Sequence, residues 1–392
     1  MIWLAWSLGG FTVLFTLGFL LLCIWHVRKI RRAGADRAGK VSLILALRGD
    51  QPGLAALFRA LAAQEFPARR LILVVESAHD PALAQARALA AMLPFPIEYV
   101  IAGEAEVTAQ KCANLAAAMV LIDAHDDAVV VFDGDIRPQI YWLGCLVGPI
   151  LDGRYDIVTG YRWLQPGNAG WLVQVIAWLD HAAALLPRLK GLGAIWGGSI
   201  AYSAGALRQL DLPRLYARQL SDDVSASRKA GALGLKILTR RALLVPQPSA
   251  VRGFGFYRRQ FQYGWHYQAA ALALALGVTT LHALGTMLLL VTSLNGQFLA
   301  QLGLGIIIVL RFACWVCHLR AAEKIAAPMT AAEKWHQAVM ALLPPVTVLC
   351  LILVMLSSVA ARRMRWRDIV YDIEGPEKLH VAWRRRFDGS GG

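Results

Sequence analysis

The sequence predicts an α/β domain with a mostly parallel sheet, placed between an N-terminal transmembrane anchor and C-terminal membrane helices. Three observations support this fold class. Short apolar runs alternate with alanine-rich helical stretches between about Val41 and Val245, which is the pattern of a doubly wound sheet. Apolar segments long enough to span a bilayer lie near both ends of the chain. The mean hydropathy is +0.49 and 57% of the 392 residues are hydrophobic, which is high for a water-soluble protein.

The segment over residues 1–27 is predicted to be a transmembrane anchor. Its apolar run is almost uncharged, Met1 leads directly into it, and the basic sequence RKIRR (Arg28–Arg32) follows it. A secretory signal peptide carries its positive charges before the apolar segment, so we expect this anchor to stay uncleaved. Positive charge after the first span places the following segment in the cytoplasm.

Residues 28–252 are predicted to form a cytoplasmic α/β domain. The predicted strands are Val41–Leu47, Arg70–Glu76, Ile97–Ala102 and Ala128–Asp133, and the helices between them are Gly53–Gln64, Pro81–Leu93 and Lys111–Ile122. Ligands of a parallel sheet bind outside the carboxyl ends of its strands. Asp133 and Asp135, in the sequence VVVFDGDIRP, follow the fourth strand and are therefore expected at the ligand-binding edge.

The rest of the chain is predicted to be mostly membrane-embedded. Residues 253–267 mix aromatic and basic side chains, which is typical of an amphipathic helix in the membrane interface. Membrane helices follow over residues 268–360, and Pro344-Pro345 interrupts the last of them. Three full spans would put the basic tail, residues 361–392, outside the cell, whereas a re-entrant last segment would keep it inside. The sequence leaves both arrangements open.

The formal net charge of +14 could indicate nucleic-acid binding. Two of the three basic clusters, Arg28–Arg32 and Arg362–Arg367, adjoin apolar segments, so contact with anionic lipid headgroups explains the charge better. We therefore expect a membrane partner and no nucleic acid. Cys314 and Cys317 form a CxxC pattern inside an apolar run without a second pair, so a zinc or redox site is not expected there.

The paired acids Asp133 and Asp135 predict a cation site. Two carboxylates two residues apart repel each other unless a positive charge lies between them. Mg²⁺ and Mn²⁺ accept such oxygen ligands together with substrate phosphate. The alternative interpretation is a solvated turn, because Asp-Gly is common in turns.

Other polar residues lie near predicted element ends. Glu76 ends the second strand and could accept hydrogen bonds from a nucleobase or ribose; the alternative is an exposed acid. Lys111 and Asn114 lie near a predicted helix N-terminus, where phosphate is favoured; the alternative is a solvated first turn. Asp222 and Asp223 precede a helical stretch, where acids usually act as caps but could also supply a general base.

The order of these motifs resembles membrane glycosyltransferases of family 2 type, and most closely the ceramide glucosyltransferase-like branch, between Val41 and Tyr371. The matching motifs are HDPA (His79–Ala82), KCANL (Lys111–Leu115), FDGDIR (Phe132–Arg137), LSDDVSAS (Leu220–Ser227), RQFQY (Arg259–Tyr263) and MRWRDIVYDI (Met364–Ile373). In the fifth motif that branch has (Gln/Arg)-x-x-Arg-Trp, and this chain has Gln262-Tyr263 at the last two positions, which removes one cation.

The resemblance implies a GT-A-like fold, that of nucleotide-diphospho-sugar transferases, and an inverting reaction with Asp223 as the general base. It implies a divalent cation, Mg²⁺ or Mn²⁺, at Asp133 and Asp135. The residues expected to bind the nucleotide donor are Glu76, Asp80, Lys111, Asn114, Asp133, Arg259 and Gln262.

The implied function is transfer of a sugar from a nucleotide donor, UDP-glucose-like, to the hydroxyl of a membrane lipid such as ceramide. We expect an integral protein of the cell inner membrane that acts in glycolipid biosynthesis, with its catalytic domain in the cytoplasm. The sequence does not identify the sugar or the lipid. Two alternatives are a polysaccharide synthase and a catalytically silent membrane scaffold, the latter suggested by the Gln262-Tyr263 departure.

Overall fold

The computed structural model describes residues 2–187, 195–248, 253–359 and 361–387, with side chains from residue 6 onward. The boundaries expected at residues 252 and 360 and the end of the tail, residues 388–392, lie outside the described residues. The chain divides into two compact units. The helical unit comprises Met1–Ile30, Trp163–Pro187 and Pro248–Ala361, and the sheet unit comprises Arg31–Arg162, Arg188–Gln247 and Arg362–Gly392.

The larger sheet contains seven strands among the described residues, in the order β3-β2-β1-β4-β6-β5-β7. The strands are β1 (Val41–Ala46), β2 (Arg70–Val75), β3 (Ile97–Ile101), β4 (Ala128–Phe132), β5 (Ile157–Gln165), β6 (Ser199–Ser203) and β7 (Ile237–Pro248). β1 pairs in parallel with β2 and β4, and β2 pairs in parallel with β3. β6 runs antiparallel to both β4 and β5. The predicted α/β fold with a mostly parallel sheet is confirmed.

The helices of the sheet unit are α2 (Leu54–Ala62), α3 (Pro81–Leu89), α4 (Gln110–Met119), α5 (Trp142–Leu151), α7 (Ala204–Leu210), α8 (Leu212–Leu215) and α9 (Asp222–Ala232). The core forms because β1, β2 and β4 are buried along almost their whole length, as expected for strands covered on both faces. Each of the four predicted strands ends one residue earlier than expected, so Glu76 and Asp133 are the first residues after β2 and β4. Both acids therefore lie in the loops at the carboxyl edge of the sheet.

The basic tail contains a second, three-stranded antiparallel sheet within the described residues. Its strands are β8 (Arg363–Trp366), β9 (Ile369–Gly375) and β10 (Lys378–Arg384). One face is apolar and buried, because Ile369, Tyr371 and Ile373 alternate along β9 with more exposed residues. The composition of the tail alone did not predict these strands.

The helical unit contains α1 (Ile2–Arg28), α6 (Trp171–Ala184), α10 (Phe254–Leu294), α11 (Phe298–Lys324), α12 (Ala331–Leu342) and α13 (Pro344–Val359). Within the described residues, three helices are long and apolar enough to cross a membrane, namely α1 from Trp6, α10 and α11. The backbone of Gln268 is non-helical, which separates the amphipathic start of α10 from its apolar remainder.

The α12–α13 pair is bent by 93° and fits either a broken span or a re-entrant loop. The break lies directly before Pro344, the first residue of α13. Proline has no backbone N–H and therefore cannot continue the hydrogen bonding of the preceding helix. The Arg311 side chain of α11 donates hydrogen bonds to the carbonyl oxygens of Met340 and Ala341, at 2.6 and 3.0 Å, and to Thr347 Oγ1 at 3.0 Å. It thereby adds hydrogen bonds to carbonyl groups in the last turn of α12, where the helical pattern ends.

Candidate active site

An ammonium group lies among the acids that follow β4 and begin α9. Lys111 Nζ, in the first turn of α4, lies 2.9 Å from Asp133 Oδ1 and 3.0 Å from Asp222 Oδ2. It also donates a hydrogen bond to the carbonyl oxygen of Gly197 at 3.2 Å. The structure therefore brings together three segments that are far apart in the sequence, and the positive charge beside Asp133 is the lysine side chain.

The charge state of this cluster is governed by burial and by mutual attraction. Burial raises the pKa of Asp222 to about 6. The attraction of the Lys111 ammonium does not cancel this shift, because the ammonium also faces Asp133 and because Asp223 lies nearby. Burial alone would lower the pKa of Lys111, but the three acids raise it well above its usual value. Lys111 is thus charged throughout the physiological pH range.

Asp223 is held by three hydrogen-bond donors. The backbone N–H of Gly197 donates to Oδ2 at 2.8 Å, and the Ser221 hydroxyl and the Val224 N–H donate to Oδ1 at 2.5 and 2.8 Å. A Cβ at Gly197 would lie 2.8 Å from Asp222 Oδ2 and 3.2 Å from Asp223 Oδ2. Only glycine allows the backbone to approach both acids this closely.

Asp135 has a different environment from Asp133. Its Oδ1 accepts a hydrogen bond of 2.6 Å from Gln247 Nε2, at the end of β7. Asp133 and Asp135 supply hard carboxylate oxygens, the donor type that Mg²⁺ and Mn²⁺ prefer. No group of three or more His, Cys, Asp or Glu side chains is placed to hold a metal within the described ranges. The chemistry of these two carboxylates fits a divalent cation whose remaining ligands would be substrate phosphate and water.

The nucleotide residues predicted at the end of β2 lie in a buried charge cluster. Glu76, whose side chain is 1% exposed, forms an ion pair with the fully buried Arg48. Arg384 Nη1, at the end of β10, lies 3.6 Å from Glu76 Oε2 and 3.7 Å from Glu104 Oε2. Glu76 Oε2 accepts no hydrogen bond from the described residues. The contact of Glu76 with a nucleobase or ribose remains a prediction.

Asp80 and Asn114 both have structural partners. Asp80 begins α3 as its N-cap and accepts hydrogen bonds from the N–H groups of Ala82 and Gly49, each at 2.9 Å. Burial raises the pKa of Asp80. Asn114 is fully buried, accepts a hydrogen bond from Gln110 Nε2 at 2.8 Å and donates one to the Leu47 carbonyl oxygen at 3.3 Å. Donor contacts of both residues remain predictions.

The sequence profile of glycosyl transferase family 21 matches residues 10–379. This chain belongs to glycosyl transferase family 21. The match confirms the resemblance to the ceramide glucosyltransferase-like branch and shows that the protein is a glycosyltransferase. Together with the sheet topology, it confirms the GT-A-like fold of the sheet unit.

Two solved structures are distantly similar to this family 21 enzyme. A mannosyltransferase from Pyrobaculum calidifontis, in complex with GDP-Man and Mn²⁺, is 15% identical, with a TM-score of 0.48 and coverage of 90% of this chain and 99% of the other. A glucosyl-3-phosphoglycerate synthase from Mycobacterium tuberculosis, in complex with Mn²⁺, UDP and glucosyl-3-phosphoglycerate, is 16% identical, with a TM-score of 0.30 and coverage of 44% and 59%. A search of curated proteins found no significant match.

Arg259 and Gln262 of this family 21 enzyme lie on α10, in the helical unit. Gln262 is 3% exposed and its Nε2 donates a hydrogen bond to the Ala361 carbonyl oxygen at 3.4 Å. The Arg259 guanidinium lies 5.5 Å from the centre of the Phe256 ring. Their contact with a diphosphate remains a prediction.

Sequence reasoning missed Arg48, Gln247 and Arg384. Arg48 follows β1 at the same edge of the sheet as Asp133, so the rule about strand ends could have found it. Arg384 lies in the third basic cluster, Arg384–Arg386, to which the sequence analysis assigned no role. No local signal links either Arg384 or Gln247 to the site, because each reaches its acid from a distant part of the chain.

Proposed function

We propose that this family 21 enzyme transfers a sugar from a nucleotide donor, UDP-glucose-like, to the hydroxyl of a membrane lipid such as ceramide. It acts at the inner membrane, with the sheet unit in the cytoplasm. The apolar helices α1, α10 and α11 support a membrane location, and the basic sequence after α1 supports the orientation.

One observation carries the proposal: Lys111 Nζ lies within 3.0 Å of both Asp133 and Asp222. Asp133 lies at the carboxyl edge of the sheet, where nucleotides bind in such folds. Asp223 follows Asp222 and accepts a hydrogen bond from Gly197, whose carbonyl oxygen accepts one from Lys111. Asp133 at the proposed donor site, Lys111 for the donor phosphates and Asp223 for the acceptor hydroxyl therefore lie close together.

In the proposed reaction Asp223 takes the proton of the acceptor hydroxyl while the acceptor oxygen bonds to the anomeric carbon. The bond from that carbon to the donor diphosphate breaks on the opposite side, so the configuration inverts. Gly197 and Ser221 hold the Asp223 carboxylate in one orientation through their hydrogen bonds, which favours productive alignment. Lys111 attracts the departing diphosphate. A divalent cation bound at Asp133 and Asp135 would neutralise charge on the leaving group.

The test uses the purified full chain in lipid–detergent micelles. It is incubated with Mn²⁺, a total lipid extract and UDP-glucose, UDP-galactose or UDP-N-acetylglucosamine in separate reactions. New glycolipids are identified by mass spectrometry, and Asp223→Asn serves as the inactive control. Formation of a water-soluble polymer instead of a glycolipid would contradict the lipid acceptor. Absence of turnover together with absence of UDP binding would favour a silent scaffold.

A further inference from the structure

The last described residues, Arg384–Phe387, cover the nucleoside end of the proposed donor site. We refer to them as the C-terminal segment. They lie at the carboxyl ends of β1 and β2, where Arg48 and Glu76 are located. The Glu76 side chain is 1% exposed and the Arg48 side chain is fully buried. Glu76 can therefore contact a ligand only if the groups above it move.

Arg384 ends β10, where its side chain donates hydrogen bonds to Gln110 Oε1 at 3.2 Å and to the Ala105 carbonyl oxygen. The Arg385 N–H donates to the Asp368 carbonyl oxygen at 3.0 Å.

The rest of the segment is attached by fewer polar contacts. The Arg48 side chain donates to the Arg385 carbonyl oxygen at 2.6 Å, and its guanidinium carbon lies 4.8 Å from the centre of the Phe387 ring. The Ser77 hydroxyl donates to the Phe387 carbonyl oxygen at 3.0 Å. Residues 385–387 belong to no strand. Such contacts can be exchanged for contacts with a ligand without breaking the sheet.

The three-stranded sheet that carries this segment is attached more firmly. The buried Tyr371 hydroxyl of β9 accepts a hydrogen bond of 3.0 Å from the N–H of Gln110, the first residue of α4. Ile369 and Ile373 bury one face of the same strand. The strands that carry the segment are therefore attached more firmly than residues 385–387.

We infer that the C-terminal segment is a lid, closed here by the contacts of Arg384 with Glu76 and of Arg48 with Arg385, and that a nucleoside diphosphate opens it by replacing those contacts. This inference rests on the proposed function, because it places the nucleoside at Glu76. In the closed state Arg384 adds a second positive charge beside the buried Glu76 carboxylate, which also pairs with Arg48. In the open state a nucleoside N–H or hydroxyl donates to Glu76 instead.

A closed lid reduces the apparent affinity for the donor by the fraction of molecules that are open. If about 90% of the molecules are closed, removing a closing contact raises the apparent affinity roughly tenfold. A permanent wall of the site behaves in the opposite way, because loss of one of its contacts weakens binding. A higher or a lower affinity for UDP after loss of the contact therefore distinguishes a lid from a permanent wall.

The first measurement is the Kd of UDP with Mn²⁺ for the full chain and for Arg384→Gln. The control is Arg386→Gln, which removes the same charge two residues further along the chain. The Arg386 side chain is 70% exposed and its Nε lies 3.5 Å from Glu104 Oε2. The lid predicts tighter binding by Arg384→Gln, up to about tenfold, and binding within about twofold of wild type for the control. Weaker or unchanged binding by Arg384→Gln would overturn the lid.

The second measurement needs no variant and therefore holds if Arg384→Gln does not fold. Hydrogen–deuterium exchange is followed at residues 384–387 of the wild-type chain as UDP and Mn²⁺ are added. Opening predicts faster exchange with saturating UDP, and slower or unchanged exchange would show that the segment is a fixed wall. If UDP binds neither to the wild type nor to Arg384→Gln, the uridine donor of the proposed function fails, and the lid fails with it.

Discussion

Lys111 Nζ lies 2.9 Å from Asp133 Oδ1. The same ammonium lies 3.0 Å from Asp222 Oδ2, so one cation joins the loop after β4 to the start of α9. The repulsion expected of the strand-end acids is relieved by a side chain of the protein itself, while Asp135 accepts a hydrogen bond from Gln247. A divalent cation that enters with a donor must therefore compete with Lys111 for Asp133. This competition leads to the first two predictions.

Asp133→Ala is expected to remove nearly all turnover and Asp135→Ala much of it, because both carboxylates are proposed ligands of Mg²⁺ or Mn²⁺. Glycolipid formation is measured with and without excess EDTA. Asp152→Ala is the control, since Asp152 directly follows α5 and pairs with the exposed Arg154. Full activity in EDTA would exclude the metal requirement.

Lys111→Gln is expected to lower the free energy of unfolding by roughly 3 kcal/mol, the lower end of the range for a broken buried pair, because Asp133 is still 32% exposed. Asp133 and Asp222 are then left without their shared ammonium. Mn²⁺ should consequently raise the Tm of Lys111→Gln more than that of the wild type. Equal Tm shifts in the two proteins would show that the lysine and the metal do not share Asp133.

Asp223→Asn is expected to reduce kcat on the order of 10²–10⁴-fold, the usual effect of removing a general base. The Kd of UDP should stay close to that of the wild type, because Asp223 faces the acceptor in the proposed mechanism. Asp222→Asn should cost much less. A dead Asp222→Asn together with a nearly normal Asp223→Asn would move the base to Asp222, and activity in both variants would place it elsewhere.

The pH dependence of kcat/KM is expected to reflect Asp222. Since its pKa is raised to about 6, Asp222 is protonated below that pH and pairs as a carboxylate with Lys111 above it. The wild-type kcat/KM should therefore fall as the pH drops through about 6, down to the small loss that Asp222→Asn shows at neutral pH. Asp222→Asn has no proton to gain and should lack this limb. The same limb in the variant would assign it to another group.

The C-terminal tail is expected on the same side of the membrane as residues 31–162, because Arg384 of β10 contacts Glu76 and Glu104 within the sheet unit. If α10 and α11 each cross the membrane, the chain returns to that side after α11. The bent α12–α13 pair must then be a re-entrant segment that does not cross. A cysteine is introduced at Ala63, Gln297 or Arg365, one position at a time. Cys350→Ser is present in each variant, because the other native cysteines are buried. An impermeant maleimide should label intact cells only at position 297. Labelling at 365 but not at 63 would require α12–α13 to cross.

Much of the fold was predictable because its causes are local. The apolar runs of β1, β2 and β4 bury both faces, and the change from amphipathic to apolar sequence coincides with the non-helical Gln268 in α10. Asp133 was expected at the carboxyl edge of the sheet for the same reason, since its position depends only on where β4 ends. The predicted strands end one residue later than the observed strands. The prediction followed the pattern of side chains, whereas the observed end depends on the backbone pairing with the neighbouring strand.

The sequence by itself determined the alternation of strands and helices, the apolar segments and the acids that follow the strands, since each depends on neighbouring residues. Only the tertiary structure decided the partners of those acids. Glu76 lies beside Arg384 and Asp133 pairs with Lys111. Asp135 accepts a hydrogen bond from Gln247. A charge can be paired by any cation or hydrogen-bond donor that the fold brings within reach, and its position in the sequence does not say which one arrives.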